Sequence, residues 1–164
     1  MGQAFEFSFP FLLRDRLRAT VALWPMHRAG IVANILLPLV GAFALTLSVV
    51  GPFANGNWLS VIGIAFVVLP LCQILAVSMG YALNPVAREP FRYVIDEQGI
   101  HVFAKSIDYT HHWSVVSRVV RRAGFLMLFF RPGCAHCLPR PALDASGQLP
   151  ELLAFLEARG LKVN

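Results

Sequence analysis

The chain has 164 residues, of which 57% are hydrophobic and only 14% charged, against roughly a quarter charged in an average soluble domain. So large an apolar surplus argues against an ordinary soluble globule and calls for the bilayer as a second solvent. The net charge of +5 gathers near the apolar centre, which points to anionic lipid head groups rather than nucleic acid, and no stacking motif or zinc-finger spacing argues otherwise.

The N-terminal segment, residues 1–28, opens with Phe5, Phe7 and Phe9 alternating with Glu6 and Ser8, the pattern of a short half-buried strand that Pro10 ends. Leu13, Leu17, Val21 and Trp24 then recur at helical spacing, with Arg14 and Arg18 on a neighbouring stripe. This predicts a basic amphipathic helix, lying either along the inner leaflet or against the protein's own cytoplasmic part.

From Ala29 through Ala87 there is no Asp, Glu, Lys, Arg or His. The stretch splits at the turn-formers Gly51-Pro52-Phe53-Ala54-Asn55-Gly56-Asn57. The flanking segments, near Ala29–Val50 and Trp58–Leu83, each exceed the roughly 20 residues that cross about 30 Å of hydrocarbon. The Leu, Ile, Val and Phe residues of the first offer about −4 to −7 kcal/mol for insertion, enough to outweigh Asn34, Pro38 and the glycines. The run begins too late and is too long for a cleaved signal peptide.

Residues 29–87 therefore read as a two-helix transmembrane hairpin. Arg14, Arg16, Arg18 and Arg28 precede it, Arg88 and Arg92 follow it, and the connecting turn is uncharged. The positive-inside rule places both termini in the cytoplasm, in the inner (plasma) membrane. Trp24 and Tyr81 fall near the inner interface and Trp58 near the outer one. Pro38 and Pro70 each remove a backbone donor within a span, with Asn34 and Gln73 the polar side chains at depth. No intramembrane charge points to transport.

Residues 88–164 change to alternation and turns. Strands are expected at Phe91–Ile95, Ile100–Ala104, Ile107–Trp113, Val115–Arg121, Phe125–Phe130 and Cys134–Leu138, with turns at Asp96–Gly99 and Arg131–Gly133. Leu149, Leu152, Leu153 and Leu156 form a helical stripe that Pro150 opens and Gly160 stops. The fold class is thus a membrane α-helical hairpin plus a small α+β cytoplasmic domain, a sheet or barrel capped by a C-terminal helix.

The matching run Val94-Ile95-Asp96-Glu97-Gln98-Gly99-Ile100, then Trp113 with Val116, Phe125-Leu126-Met127-Leu128-Phe129, and Leu138-Pro139-Arg140 before the closing helix resembles the YcxB-like family of bacterial membrane proteins. The resemblance covers roughly Phe91 to Gly160. It implies two transmembrane helices followed by a pleckstrin-homology-like domain, and it implies no known reaction. The chain departs from the family at Ser114-Val115, where an acidic residue is common, and at Pro141.

Cys134-Ala135-His136-Cys137 supplies only two thiols, and positions three apart on a strand face opposite ways, so neither a metal nor a redox role is expected. Cys72 lies inside an apolar run, and three cysteines make no disulfide framework. Of His111-His112-Trp113, at most one histidine is expected to be buried, and Asp96, Glu97 and Asp108 form no general acid–base pair. Arg118, Arg121 and Arg122 are the densest positive cluster. Val116, Arg118 and Val120 should share one strand face, with Arg122 projecting beside Arg118 and Arg121 leaning away.

The expected function is a non-enzymatic binding or regulatory module, without cofactor, that contacts lipid head groups or a protein partner through Arg118, Arg122, Arg14 and Arg18. The alternative is an immunity-like or accessory protein that binds another membrane protein through its hairpin.

Overall fold

The computed structural model describes residues 4–50 and 57–163. Strand β1, Phe5–Pro10, buries Phe5, Phe7 and Phe9 and exposes the residues between them. Pro10 is its last residue, tolerated because β1 is an edge strand. Helix α1 follows at Leu13–Leu23, then a tight 3-10 turn at Trp24–Met26.

Two long apolar helices come next, α2 at Arg28–Val50 and α3 at Asn57–Leu83. The expected turn at Gly51–Asn57 lies outside the described residues except for Asn57, which opens α3. Gly41 and Gly63 let the two backbones meet. A Cβ on Gly41 would lie 2.7 Å from the Gly63 carbonyl oxygen, and one on Gly63 would lie 2.9 Å from the Gly41 carbonyl, the close small-residue approach of helices packed in an apolar solvent. One wide π turn interrupts α2 at Val32–Leu36. It falls where Pro38 lacks the N–H that the Asn34 carbonyl would accept and where its ring crowds that carbonyl. The Asn34 side-chain amide donates to the Gly30 carbonyl at 3.2 Å.

Beyond α3 the chain turns at Pro85–Arg88, where Arg88 donates to the Tyr81 and Ala82 carbonyls and so closes the helix end. Six further strands follow: β2 Pro90–Ile95, β3 Gly99–Ala104, β4 Ile107–His112, β5 Arg118–Arg122, β6 Phe125–Arg131 and β7 Cys134–Pro139. They form two antiparallel sheets, β1-β2-β3-β4 and β5-β6-β7. Two short helices finish the chain, α4 at Arg140–Ser146 and α5 at Leu149–Ala158.

The register of β1 on β2 runs from Phe5 opposite Ile95 to Pro10 opposite Pro90. The N-terminal segment is therefore no separate unit. The helical hairpin is an insertion between two neighbouring strands of one sheet. The main core lies between the sheets and takes Phe5, Phe7, Ile100, Val102, Leu126, Leu128 and Leu138, closed by Leu152, Phe155 and Leu156 of α5.

Strand β6 is buried on both faces. Leu126 and Leu128 enter the main core, while Phe125, Met127 and Phe129 face Ala19 and Ala22 of α1. The stripe expected to drive α1 was Leu13, Leu17, Val21 and Trp24, but the buried face is that of the two alanines, and Val21 stays exposed. Small side chains allow α1 to lie flat on the sheet, each covered aromatic contributing about 1.5–3 kcal/mol.

Two expectations for the middle strands need correction. The strand expected to run to Trp113 stops at His112, because Trp113–Val115 is a 3-10 turn. The indole of that turn donates to the Asp96 carbonyl at 2.8 Å. The next strand, expected at Val115–Arg121, consequently begins only at Arg118. Val116 does not share the face of Arg118 and Val120; the turn swings it into the main core beside Val119.

Candidate functional site

The basic side chains converge where the β-domain meets the feet of the helices. Arg118 donates from Nη2 to the Met26 carbonyl at 2.8 Å, and its guanidinium lies 4.3 Å from the centroid of the Phe129 ring. It therefore ties β5 to the turn that leads into α2. Arg122 ends the same strand and is exposed. The two-residue turn after it, Ala123–Gly124, has positive φ at both positions (52° and 81°), as a tight hairpin requires. Arg18 reaches the Ala123 carbonyl at 3.5 Å. Arg18 and Arg122, although 104 positions apart in sequence, thus line one crevice with Leu17, Val21 and Ile74. Arg14 points to solvent with 78% of its side chain exposed, 3.8 Å from Asp15.

A larger crevice, about 770 Å³, opens between the foot of α2 and the β6–β7 turn. His27 and Arg28 line one wall, Arg118 and Arg131 the other, and among the described residues no acidic side chain lines it. Sequence reasoning missed this grouping. Arg131 reads as a turn residue and Arg28 as a topology signal, and only the docking of α1 on the second sheet brings them together.

A second space, of about 540 Å³, lies under α1 beside the end of α3. Arg16 reaches into it. Its Nη2 donates to the Ala87 carbonyl at 2.6 Å, and its guanidinium lies 5.4, 5.6 and 5.9 Å from the rings of Phe11, Tyr81 and Phe91. Desolvation by these neighbours lowers its pKa from the usual guanidinium value. It pairs with no carboxylate among the described residues.

Histidines complete the region. His111 Nδ1 lies 2.7 Å from His136 Nε2, with Phe130 stacked at 4.4 Å on the His111 ring. His112 is exposed. Burial, and then the charge of His111, push the His136 pKa down to about 4. Cys137 is buried and its thiol is pushed up to about 12 by desolvation, while Cys134 is exposed. Among the described residues no three His, Cys, Asp or Glu side chains are grouped to hold a metal.

Asp96 serves its own turn. Burial alone would raise its pKa, but hydrogen bonds from the Gln98 and Gly99 amides and from His101 hold it below the ordinary carboxylate value.

No curated protein and no solved structure matches the chain. Residues 95–156, from the last residue of β2 through Leu156 of α5, match the model of the YcxB-like protein family, the family that the sequence resembles.

Proposed function

We propose that this is an integral membrane protein in which a pleckstrin-homology-like domain, interrupted by a transmembrane hairpin, contacts anionic lipid head groups at its basic junction with the hairpin. The four-plus-three strand arrangement closed by a C-terminal helix supports the pleckstrin-homology-like part of the reading. Insertion is supported by length and by exposure. The two apolar spans, Arg28–Val50 and Trp58–Leu83, are 23 and 26 residues long, about 35 and 39 Å at 1.5 Å per residue. Only 17% and 6% of their most apolar stretches are buried against protein, whereas the core helix of a soluble protein would be largely covered.

Pairing of β1 with β2 supports a single side for both feet of the hairpin, independently of charge. The arginines at those feet then favour the cytoplasm for both termini, in the inner membrane. The glycine face of each long helix is used within the hairpin, leaving aliphatic outer faces suited to lipid.

The observation that carries the reading is the crevice lined by His27, Arg28, Arg118 and Arg131 without a carboxylate. Each basic group near an anionic surface is worth about 1 kcal/mol. The role is binding rather than catalysis, a view supported by how Asp96, His101 and Cys137 are engaged or buried within the fold.

Two measurements test it. Reporters fused after Asn164 and inserted at Asn55 should report opposite sides of the membrane, the first cytoplasmic. Protein extracted in uncharged detergent should co-purify anionic lipid, and Arg28→Gln with Arg131→Gln should reduce that fraction severalfold. Co-purified lipid of unchanged composition in the double variant would leave a protein partner as the better occupant of the surface.

A further inference from the structure

We propose that the cavity around Arg16 is a site for one anionic amphiphile, its oxyanion held on the guanidinium; the inference rests on the membrane reading above but on a different group of residues. The space of about 540 Å³ falls within the range of roughly 300–1,000 Å³ typical of small-molecule sites. Among the described residues, Arg16 Nε is buried without a hydrogen-bond partner, and the one protein acceptor of the guanidinium is the Ala87 backbone carbonyl.

A partly desolvated cation left without a counter-ion carries an unmet cost. The fork of a guanidinium fits carboxylate or phosphate, which would supply both the charge and the missing acceptor. One part of the lining suits an apolar stem. Phe9 and Leu23 lie on the domain side, Val77 and Gly80 on α3. These α3 residues belong to its last two turns, so the cavity lies at head-group level if the helix spans the bilayer. That position favours a membrane lipid over a water-soluble organic anion, which shares the same oxyanion chemistry.

Gly80 provides the cleanest test, because a Cβ there meets nothing within 4 Å. Gly80→Leu adds bulk to the cavity wall from a Cβ position that is open, whereas Arg16→Gln also loses the bond to Ala87. The full chain, purified in uncharged detergent, is titrated calorimetrically with dioctanoyl phosphatidylglycerol, dioctanoyl phosphatidylcholine and glycerol phosphate. Wild type should take one equivalent of phosphatidylglycerol and bind it about tenfold or more tightly than phosphatidylcholine. Gly80→Leu should weaken that binding by about tenfold or more while keeping the wild-type melting temperature, and Arg16→Gln should abolish the preference between the lipids.

Equal binding of the two lipids, or no effect of Gly80→Leu, would overturn the proposal. Glycerol phosphate binding as tightly as the lipid would overturn the membrane source. If the loss followed Arg28→Gln and Arg131→Gln instead, the head-group reading of the rim would stand and the cavity site would fall.

Discussion

His111 and His136 join the two sheets: their ring nitrogens lie 2.7 Å apart, one on β4 and the other on β7. Only one proton can occupy such a contact, and the buried ring of His136 resists a second. An unfolded imidazole takes a proton below about pH 6.5, whereas folded His136 does so only below about 4. The unfolded state therefore binds more protons between those values, and stability is lost as pH falls through that interval.

By pH 5 the loss should reach about 2 kcal/mol. His111, lowered by burial and then by Arg131, adds in the same direction. Melting of the full chain in detergent should show a lower midpoint at pH 5 than at pH 7. His136→Phe, which fits among Tyr93, Tyr109 and Phe130, should shrink that difference. An unchanged difference in the variant would locate the acid sensitivity elsewhere.

Strand β1 should be indispensable to the β-domain. Phe5 and Phe7 are 1% and 2% exposed in the main core, and emptying such a site costs about 3–5 kcal/mol. Phe5→Ala or Phe7→Ala should therefore lower the melting midpoint sharply and open the domain to protease. A fragment beginning at Phe91 lacks the strand altogether and should not fold. A cooperative transition from that fragment would show that β1 is dispensable.

Two readings that followed local periodicity agree with the structure, whereas the periodic stripe of α1 does not. The Phe5-Phe7-Phe9 alternation is buried throughout, and of the stripe Leu149, Leu152, Leu153 and Leu156 the second and fourth are buried and the others partly so, because each is a repeat within one element. What was illegible depends on distant chain segments. Nothing in Phe5–Pro10 names Pro90–Ile95 as its partner, since any strand with the right face would pair with it. The Trp113–Val115 turn is set by an indole reaching back to Asp96, a contact that strand propensity does not encode. Helix α4 has prolines about its start and one turn of apolar signal, Ala142 and Leu143, so the composition resembles a loop. Of the candidate arginines, strand alternation put Arg118 and Arg122 on one face. Their different partners, Met26 for one and the Arg18 crevice for the other, come from where α1 docks.

The hairpin should be sensitive to bulk at Gly41 and Gly63 and tolerant at Gly80. The first two leave no room for a Cβ beside backbone atoms of the opposing helix, so Gly41→Val or Gly63→Val must push the helices apart. A separation of the packed backbones forfeits dispersion contacts along the whole seam. Expression and thermal stability in detergent should fall for both variants. Gly80→Ala, with open space around it, should be neutral or mildly stabilising, because alanine is the better helix former. Wild-type stability for Gly41→Val would mean that the helices do not pack through this face.

Arg118 and Arg122 should separate into different roles despite sharing a strand. Arg118 makes a charge-assisted hydrogen bond to the Met26 carbonyl and lies over Phe129. Both interactions are partly exposed, so together they are worth about 1–2 kcal/mol. Arg118→Ala should therefore loosen the docking of the Trp24–Met26 turn on β5 and lower the melting midpoint. Arg118→Lys keeps the charge but not the planar stacking, and should recover only part of the loss. Arg122→Ala removes an exposed side chain with no hydrogen bond to protein among the described residues, and its effect on stability should stay within about 0.5 kcal/mol. Its effect should appear instead in the anionic lipid retained on purification, through the crevice it shares with Arg18. Melting curves and lipid analysis of the two single variants separate these outcomes. Equal destabilisation by both substitutions would mean that the tether is set by the charge of the strand rather than by the contact of Arg118 with Met26.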